Sequence, residues 1–297
     1  PEAIFDEIER YFVNLGHSRG PLMEGLAAVD MALWDIAGKV AGRSVAALLG
    51  GSTGVIPTYA SPVAFSDDPS RAAAAARTYV DQGFKALKTK VGDDLRRDIA
   101  NLEAVRAEVG DSVRILVDAN GGFDVPGAIE FARKVEHLHI GWLEEPVPAN
   151  DIEGLRAVRA EVDVPVAWGE NEFSLAGVRN AILRDAIDIV QPNVTRAGGV
   201  TGGKRIADFA AAHGVSFAPH GVGTGLGITA MLHVCRAAGS LDVYEVNRLL
   251  NPLRDEHVQA RAELSDGEYR LEELPGLGID VDWHALTARF GKEAVGA

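Results

Sequence analysis

Residues 114–120 read Arg-Ile-Leu-Val-Asp-Ala-Asn, a short apolar and β-branched run that ends in a carboxylate at Asp118. Two later runs end in the same way, because Gly-Trp-Leu precedes Glu144 and Pro-Val-Ala-Trp-Gly precedes Glu170. Glu144 lies 26 residues after Asp118, and Glu170 lies 26 residues after Glu144, about the length of one strand and one helix. If successive strands are neighbours in a parallel barrel, this spacing brings the three side chains together at its C-terminal end.

Three carboxylates that meet at one point repel one another unless a cation lies among them. Ligands that are all oxygen suit Mg²⁺ better than zinc or copper. The sequence therefore predicts one Mg²⁺ site in the chain, with Asp118, Glu144 and Glu170 as candidate ligands.

Short β-branched runs alternate with helical patterns from residue 55 to residue 245, and this alternation predicts parallel βα units. Eight such runs fit a closed barrel better than an open sheet, so the predicted fold class is α/β, a modified TIM barrel. The predicted strands span residues 55–60, 86–90, 113–118, 141–144, 164–167, 187–191, 216–218 and 242–245.

Three segments of different character divide the chain. Residues 1–52 are expected to be helical, since apolar residues recur there at helical spacing, at Leu26, Val29, Leu33, Ile36 and Val40. Residues 53–246 are expected to form the catalytic barrel. Residues 247–297 carry irregularly placed prolines and glycines, which predicts a loop-rich segment with short strands.

The composition limits the partners that the protein can bind. A formal net charge of −14 argues against nucleic acid or an anionic membrane surface, although lysines in a recessed pocket can still attract a small anion. No apolar run approaches the roughly 20 residues of a membrane helix, and the single cysteine, Cys235, excludes an intramolecular disulfide. We therefore expect a cytoplasmic protein with no nucleic-acid or membrane partner.

Two lysines, Lys88 and Lys90, end the second predicted strand. Residues two apart on a strand face the same side, so both ammonium groups are expected to enter the same space. Burial and a like-charged neighbour each disfavour the protonated form, and both would lower a lysine pKa towards the range of a general base. His220 follows the seventh predicted strand, where a histidine is well placed for acid–base work.

Several motifs occur in a fixed order along the chain, and together they resemble those of the enolase superfamily, specifically its mandelate racemase-like subgroup. They are Ala-Leu-Trp-Asp-Ile-Ala-Gly-Lys at 32–39, Lys-Thr-Lys at 88–90, Asp-Ala-Asn at 118–120, Trp-Leu-Glu-Glu-Pro at 142–146, Gly-Glu-Asn at 169–171, Gln-Pro-Asn at 191–193, Ala-Pro-His-Gly at 218–221 and Asn-Pro-Leu-Arg at 251–254. The resemblance implies a (β/α)₇β barrel and a partial helical capping domain, whose N-terminal sheet is expected to be missing before Pro1. It also implies a C-terminal segment that returns towards the capping domain.

The resemblance implies a small anionic carboxylate substrate that loses its α-proton, with Mg²⁺ stabilising the enediolate intermediate, a chemistry for which this superfamily is a known example. Carried over by position, Asp118, Glu144 and Glu170 would bind the metal. Lys90 would be the base on one face of the substrate, and Lys88 would help to hold the substrate carboxylate.

The resemblance places His220 on the opposite face of the substrate, and Glu245 would donate a hydrogen bond to the enediolate. Asn120 and Asn171 lie just beyond candidate metal ligands, so they are candidate substrate-binding residues.

Asn193 departs from the family pattern, since the family has at this position an Asp that pairs with the histidine. An amide oxygen can accept the imidazole N–H, but it cannot stabilise an imidazolium as a carboxylate does. His220 is therefore expected to be a weak base, and Lys90 is expected to be the main one.

The expected reaction is dehydration of an acid sugar to a 2-keto-3-deoxy acid. A two-base racemisation needs His220 to be a competent base, whereas in a one-base elimination His220 need only help a hydroxide to leave. Racemisation or epimerisation of a 2-hydroxy acid is the first alternative. A non-catalytic metal-binding relative is the second, and an unrelated metal-dependent barrel such as an aldolase is the third. By the resemblance, the protein is also expected to form a homo-oligomer.

Overall fold

The computed structural model describes residues 1–51, 54–63, 67–258, 261–279 and 281–291. Its N-terminal part contains the helices α1 (Glu2–Asn14), α2 (Pro21–Ala41) and α3 (Val45–Leu48). The predicted boundary between residues 52 and 53 falls outside the described residues, as do residues 292–297 of the predicted C-terminal segment. Within the described ranges, no helix combines the length and apolar character that a membrane span requires.

Strands and helices then alternate along the chain. The series runs β1 (Val55–Val63), α4 (Pro69–Asp81), β2 (Ala86–Lys90), α5 (Leu95–Val109), β3 (Arg114–Asp118), α6 (Val125–Val135), a 3₁₀ turn (Glu136–Leu138), β4 (Leu143–Glu144) and α7 (Ile152–Glu161). It continues with β5 (Val166–Trp168), α8 (Leu175–Leu183), β6 (Ile189–Val190), α9 (Gly199–Ala212), β7 (Ser216–Phe217), α10 (Gly225–Ala237) and β8 (Tyr244–Asn247). A π-helical turn (Leu253–His257), an antiparallel pair of strands, β9 (Ala262–Ser265) and β10 (Glu268–Leu271), and α11 (Trp283–Phe290) follow.

The strands form one mainly parallel sheet that curves round on itself. Strands β2 to β7 pair in sequence order, while β1 pairs in parallel with both β2 and β8. A parallel bridge between Phe217 and Leu241 joins β7 to the chain that leads into β8. The predicted fold class is therefore confirmed: the protein is an α/β modified TIM barrel, in which α4 to α10 alternate with β1 to β8.

Each of the eight predicted strands is present, although several are shorter than predicted. The sixth, for example, covers Ile189–Val190 rather than residues 187–191. Register matters more to the site than strand length, because Lys90 pairs with Asp118 and Asp118 pairs with Glu144. Register partners on parallel strands point to the same face, so these three side chains leave the sheet side by side at its C-terminal edge.

Large side chains fill the inside of the barrel. The interior cluster contains Tyr59, Ala86, Leu116, Trp142, Ala167, Ile189 and Ala218, all of them buried. The rings of Tyr59 and Trp142 meet edge to face, with their centroids 5.3 Å apart. A second apolar layer fills the space between the strands and the surrounding helices. The barrel is therefore a packed support for the side chains at its C-terminal end rather than a pore.

A buried polar contact at Asp30 joins α2 to α9. The two carboxylate oxygens of Asp30 accept hydrogen bonds from the backbone N–H of Thr201 at 2.9 Å and from its hydroxyl at 2.6 Å. Trp34 donates its indole N–H to the same hydroxyl at 2.9 Å. Gly198, at the start of α9, has no side chain to cap the helix. Asp30 therefore supplies an acceptor that this helix end lacks.

His233, in α10, is a buried link between three parts of the chain. Its Nδ1 accepts the backbone N–H of Ala46 at 3.0 Å, and its Nε2 lies 3.3 Å from the carbonyl oxygen of Leu277. Burial lowers the pKa of the imidazole to about 4. The fold therefore accommodates the neutral ring, and as the pH falls the unfolded chain protonates this residue before the folded one does.

Stability should decrease as the pH falls from the ordinary histidine pKa of 6.5 towards the folded-state pKa of about 4. At pH 5 the free energy of unfolding should be about 2 kcal/mol lower than at pH 7 on account of this group alone. Urea unfolding at the two pH values measures the difference. His233→Gln is the matched control, because glutamine can accept the Ala46 N–H but does not titrate. An equal pH dependence in the two proteins would assign the effect to other groups.

Candidate active site

Three carboxylates meet at the C-terminal end of the barrel. One oxygen from each of Asp118, Glu144 and Glu170 lies within 4.8 Å of the other two. Asp118 ends β3, Glu144 ends β4, and Glu170 follows the last residue of β5 by two positions. The first two side chains are fully buried, and that of Glu170 is 13% exposed. A set of three carboxylates fits a hard divalent cation such as Mg²⁺.

Lys88 is buried among these carboxylates. Its Nζ lies 2.7 Å from Glu144 Oε1, 3.4 Å from Asp118 Oδ2 and 3.3 Å from Glu245 Oε1. Burial disfavours the ammonium, but Glu144 and Glu245 outweigh this effect and hold the pKa of Lys88 well above its usual value. The predicted lowering of a lysine pKa is therefore wrong for Lys88, because the nearest charges are carboxylates rather than a second ammonium.

Lys90 lies in a more open position, with 29% of its side chain exposed. Its Nζ donates to Asp118 Oδ2 and to Asn120 Oδ1, both at 2.5 Å. Lys88 and Lys90 therefore contact the same oxygen of Asp118, as their common face of β2 implies. Burial alone would raise the pKa of Asp118, but the two ammonium groups lower it below its usual value.

Glu144 receives donors on both of its carboxylate oxygens. Besides the Lys88 contact at Oε1, its Oε2 accepts the Trp142 indole N–H at 3.2 Å and the Gln191 side-chain amide at 2.8 Å. Burial, with the neighbouring Asp118 carboxylate, raises the pKa of Glu144 well above its usual value.

Trp142 and Gln191 are not among the predicted site residues, although the position of each in the sequence indicates a place in the site. Trp142 lies two residues before Glu144, and strand alternation places side chains two apart on the same face. Gln191 directly follows β6, at the end of the barrel where functional side chains gather.

Glu145 and Asn171 lie next to the carboxylate cluster. The side-chain amide of Asn171 donates to the two Glu145 oxygens at 3.1 and 3.0 Å, and to Glu170 Oε1 at 3.4 Å. Burial, with the nearby Glu170 carboxylate, raises the pKa of Glu145 to about 7. The Asn171 amide thus bridges two acids, and the assignment of Asn171 and Asn120 to substrate binding stays a prediction.

Glu245, in β8, points into the same cluster. Its Oε2 accepts the backbone N–H of Gly221 at 2.9 Å and lies 3.7 Å from His220 Nε2. Burial would raise its pKa, but Lys88 and His220 together with hydrogen bonding lower it to about 2. Glu245 is therefore an ionised acceptor in this structure, because its neighbours stabilise the carboxylate form, and its hydrogen bond to an enediolate stays a prediction.

His220 and Asn193 meet with 3.0 Å between Nδ1 of the ring and Nδ2 of the amide. Main-chain groups fix the orientation of that amide, since Oδ1 accepts the backbone N–H of Thr195 at 3.0 Å and Nδ2 donates to the Val222 carbonyl at 3.2 Å. The amide therefore presents an N–H to the ring, so His220 Nδ1 is an acceptor and the ring proton lies on Nε2. The prediction that the Asn193 oxygen accepts the imidazole N–H is wrong, because Thr195 occupies that oxygen.

Five of the side chains described above line a cavity of about 430 Å³, within the usual range for a small-molecule site, namely Lys88, Lys90, Glu170, His220 and Glu245. Lys90 reaches it from the end of β2, and His220 reaches it from the chain after β7. His220 Nε2 lies 3.2 Å from Glu170 Oε2. The remaining wall is formed by Ser61, Pro62, Val222, Asn247, Leu249, Leu250, Asn251, Pro252 and Arg254.

Two family models match the chain. The one described as "Enolase C-terminal domain-like" matches residues 71–285, and the one described as "Mandelate racemase / muconate lactonizing enzyme, N-terminal domain" matches residues 6–50. Together they cover most of the N-terminal helices and the barrel from α4 onwards, while β1 lies between the two matched ranges.

Individual proteins match over most of the chain. D-galactarolactone cycloisomerase of Agrobacterium fabrum is 34% identical over 282 residues, which cover 91% of this chain and 74% of that protein. Arabinonate dehydratase of Saccharolobus solfataricus is 31% identical over 283 residues, which cover 94% of this chain and 75% of that protein. A solved enolase structure from Bradyrhizobium, complexed with magnesium and mandelic acid, is 29% identical with a TM-score of 0.87, over 97% of this chain and 77% of that one.

Gly221, the residue after His220, provides a direct test of how closely the chain after β7 approaches β8. A Cβ added there would overlap the backbone carbonyl of Glu245, so Gly221→Ala should force the His220 loop away from β8 and lower the free energy of unfolding by about 1–3 kcal/mol. Gly25→Ala is the matched control, because Gly25 lies in α2 with nothing within 4 Å of an added Cβ, and it should be neutral or slightly stabilising. Urea unfolding measures both variants. Equal stability of the two variants would contradict the close approach of Gly221 to Glu245.

Proposed function

The chain belongs to the mandelate racemase/muconate lactonizing enzyme family of the enolase superfamily, and on this premise we propose that it is a Mg²⁺-dependent dehydratase of an acid sugar. The α-proton next to the substrate carboxylate is removed, the β-hydroxyl leaves as water, and a 2-keto-3-deoxy acid forms. The observation that carries the proposal is the contact between Asn193 and His220, from which we infer that the site has one competent base.

Asp118, Glu144 and Glu170 are the residues that would hold the metal, since their oxygens converge. When bound, Mg²⁺ supplies Lewis-acid stabilisation of the negative charge that develops on the substrate carboxylate. The Lys88 ammonium contacts two of these three acids. It therefore adds a fixed positive charge beside the developing anion and limits the movement of both side chains.

Lys90 is the proposed base. Its amine is partly exposed in the cavity, and Asp118 and Asn120 fix the position of its Nζ. A neutral Lys90 amine accepts the α-proton. The resulting ammonium then donates a proton to the departing β-hydroxide, so that water leaves and the lysine is neutral again.

His220 is proposed to donate a hydrogen bond rather than to accept the substrate proton. Asn193 directs an N–H at Nδ1 across 3.0 Å, and a proton on that nitrogen would place two donors face to face. With the ring proton on Nε2 and the Asn193 N–H at Nδ1, neither ring nitrogen offers a free lone pair to a substrate proton. The Nε2–H that remains can orient the leaving hydroxyl, which is sufficient for a one-base elimination.

Racemisation or epimerisation of a 2-hydroxy acid is the second candidate. It is favoured by the positions of Lys90 and His220. Lys90 ends β2 and His220 follows β7, two strands that are not neighbours, and both side chains line the same cavity. Such a reaction needs a ring nitrogen of His220 that is free to accept a proton, and the Asn193 contact occupies Nδ1 while the ring proton lies on Nε2. The names of the two relatives described above, which act on D-galactarolactone and arabinonate, support a sugar-acid substrate.

The reaction can be assigned by incubating the protein with a panel of acid sugars and Mg²⁺ in D₂O, with an EDTA control, followed by mass spectrometry. Metal-dependent loss of water supports the proposed dehydratase and names its substrate. Gain of one deuterium without loss of water would replace it with the racemase or epimerase. Loss of water that persists in EDTA would contradict the metal requirement.

Lys90→Met should lower α-proton exchange with D₂O by about 10²–10⁴-fold, because the variant lacks the amine that accepts the proton. His220→Gln is the comparison, since it should slow water loss while leaving exchange measurable. Both are followed by mass spectrometry on the substrate found in the panel. Undiminished exchange in Lys90→Met would exclude Lys90 as the base, and complete loss of exchange in both variants would contradict a one-base site.

A further inference from the structure

The loop at residues 169–174 carries the third candidate metal ligand, Glu170, beyond the end of β5. Glu172 stabilises this loop by hydrogen bonds within it, because its Oε1 accepts the backbone N–H groups of Phe173 at 2.8 Å and Ser174 at 3.1 Å. The other oxygen of Glu172 is free to contact a group outside the loop.

Arg19, in the connection between α1 and α2, is that group. Its Nη1 donates to Glu172 Oε2 at 2.8 Å, and its Nη2 donates to the carbonyl oxygen of Asn171 at 2.7 Å. Its guanidinium carbon also lies 5.4 Å from the centroid of the Phe173 ring. One side chain from the N-terminal helical part therefore contacts the three residues that directly follow Glu170.

Arg196, in the connection between β6 and α9, holds the same loop from the barrel side. Its Nη1 donates to Asn171 Oδ1 at 2.8 Å and lies 3.4 Å from the Glu170 carbonyl oxygen. Its Nε lies 3.5 Å from Glu24 Oε1 in α2. The N-terminal helical part thus reaches the loop twice, directly through Arg19 and through Glu24 and Arg196.

Asn171 connects these arginines to the carboxylate cluster. Its backbone carbonyl accepts from Arg19 and its Oδ1 accepts from Arg196, while its Nδ2 lies 3.4 Å from Glu170 Oε1. Both the backbone and the side chain of Asn171 are therefore fixed, and Glu170 is the next residue in the chain.

We infer that Arg19 is a positioning residue for the metal site, which fastens the 169–174 loop so that Glu170 meets the other two carboxylates. The inference rests on the proposed function in taking Asp118, Glu144 and Glu170 as the metal ligands. Contacts that orient metal ligands typically change metal affinity 10–100-fold. The Arg19–Glu172 ion pair is half exposed on the arginine side, so it contributes little to global stability.

Isothermal titration of MgCl₂ into the full chain without substrate tests the inference. Arg19→Met should weaken Mg²⁺ binding roughly tenfold. Arg205→Met is the matched control, because Arg205 also joins the N-terminal helices to the barrel, 2.6 Å from Asp6 and 5.3 Å from the Phe5 ring centroid. It makes these contacts between α1 and α9, away from the carboxylates, and its loss should leave Mg²⁺ affinity unchanged.

Arg19→Lys supplies a second variant should Arg19→Met fail to fold. A lysine keeps the charge pair with Glu172 but has a single nitrogen for two acceptors, so Mg²⁺ affinity should fall between those of the unaltered protein and Arg19→Met. Unchanged Mg²⁺ affinity in the Arg19 variants, or an equal loss in Arg205→Met, would overturn the positioning role while leaving the metal site intact. Failure of the unaltered protein to bind Mg²⁺ would overturn the metal assignment itself, and the positioning role with it.

Discussion

The Lys88 ammonium makes it possible to bury three carboxylates in one place. It lies within 3.4 Å of Asp118, Glu144 and Glu245, whose side chains are almost fully inaccessible to solvent. A buried charge without a partner costs several kcal/mol, and removing one member of such a group leaves the others uncompensated. The cluster is also negative overall, since Glu170 and Glu145 lie close by and Lys90 adds one further positive charge. This excess of acids is the physical basis for assigning a divalent cation to the site.

The barrel positions these groups with different degrees of rigidity. Lys90, Asp118 and Glu144 are the last residues of adjacent strands, so the backbone ladder fixes their register. Glu170 lies beyond its strand, on a loop that needs contacts of its own. Those contacts come from arginines in two other parts of the chain, which fasten the loop to the N-terminal helical part and to the connection after β6. The N-terminal helices are therefore part of the support of the site as well as a neighbour of the barrel.

The alternation of eight strand-like runs with helical patterns predicted the barrel. The equal spacing of the strand-end carboxylates then predicted the convergence of Asp118, Glu144 and Glu170, because parallel strands place equivalent residues at one edge. What the sequence could not supply were contacts between residues far apart in the chain. Arg19 meets Glu172 across 153 positions, and no local pattern reports such a pair. The orientation of the Asn193 amide depends on the backbone of Thr195 and Val222, and the raised pKa of Lys88 depends on Glu144 and on Glu245 in β8. The Asn193 amide decides which nitrogen of His220 carries the proton, and the carboxylates around Lys88 keep that side chain an ammonium.

Anomalous diffraction from crystals of the protein soaked in Mn²⁺, a cation of similar ligand preference that can be located directly, tests the central claim most directly. The claim predicts one strong peak at the C-terminal end of the barrel, at bonding distance from one oxygen each of Asp118, Glu144 and Glu170. It also predicts that Lys88 keeps its contact with Glu144. A peak bound to a different set of side chains, or the absence of any peak among these three carboxylates at saturating Mn²⁺, would contradict the claim.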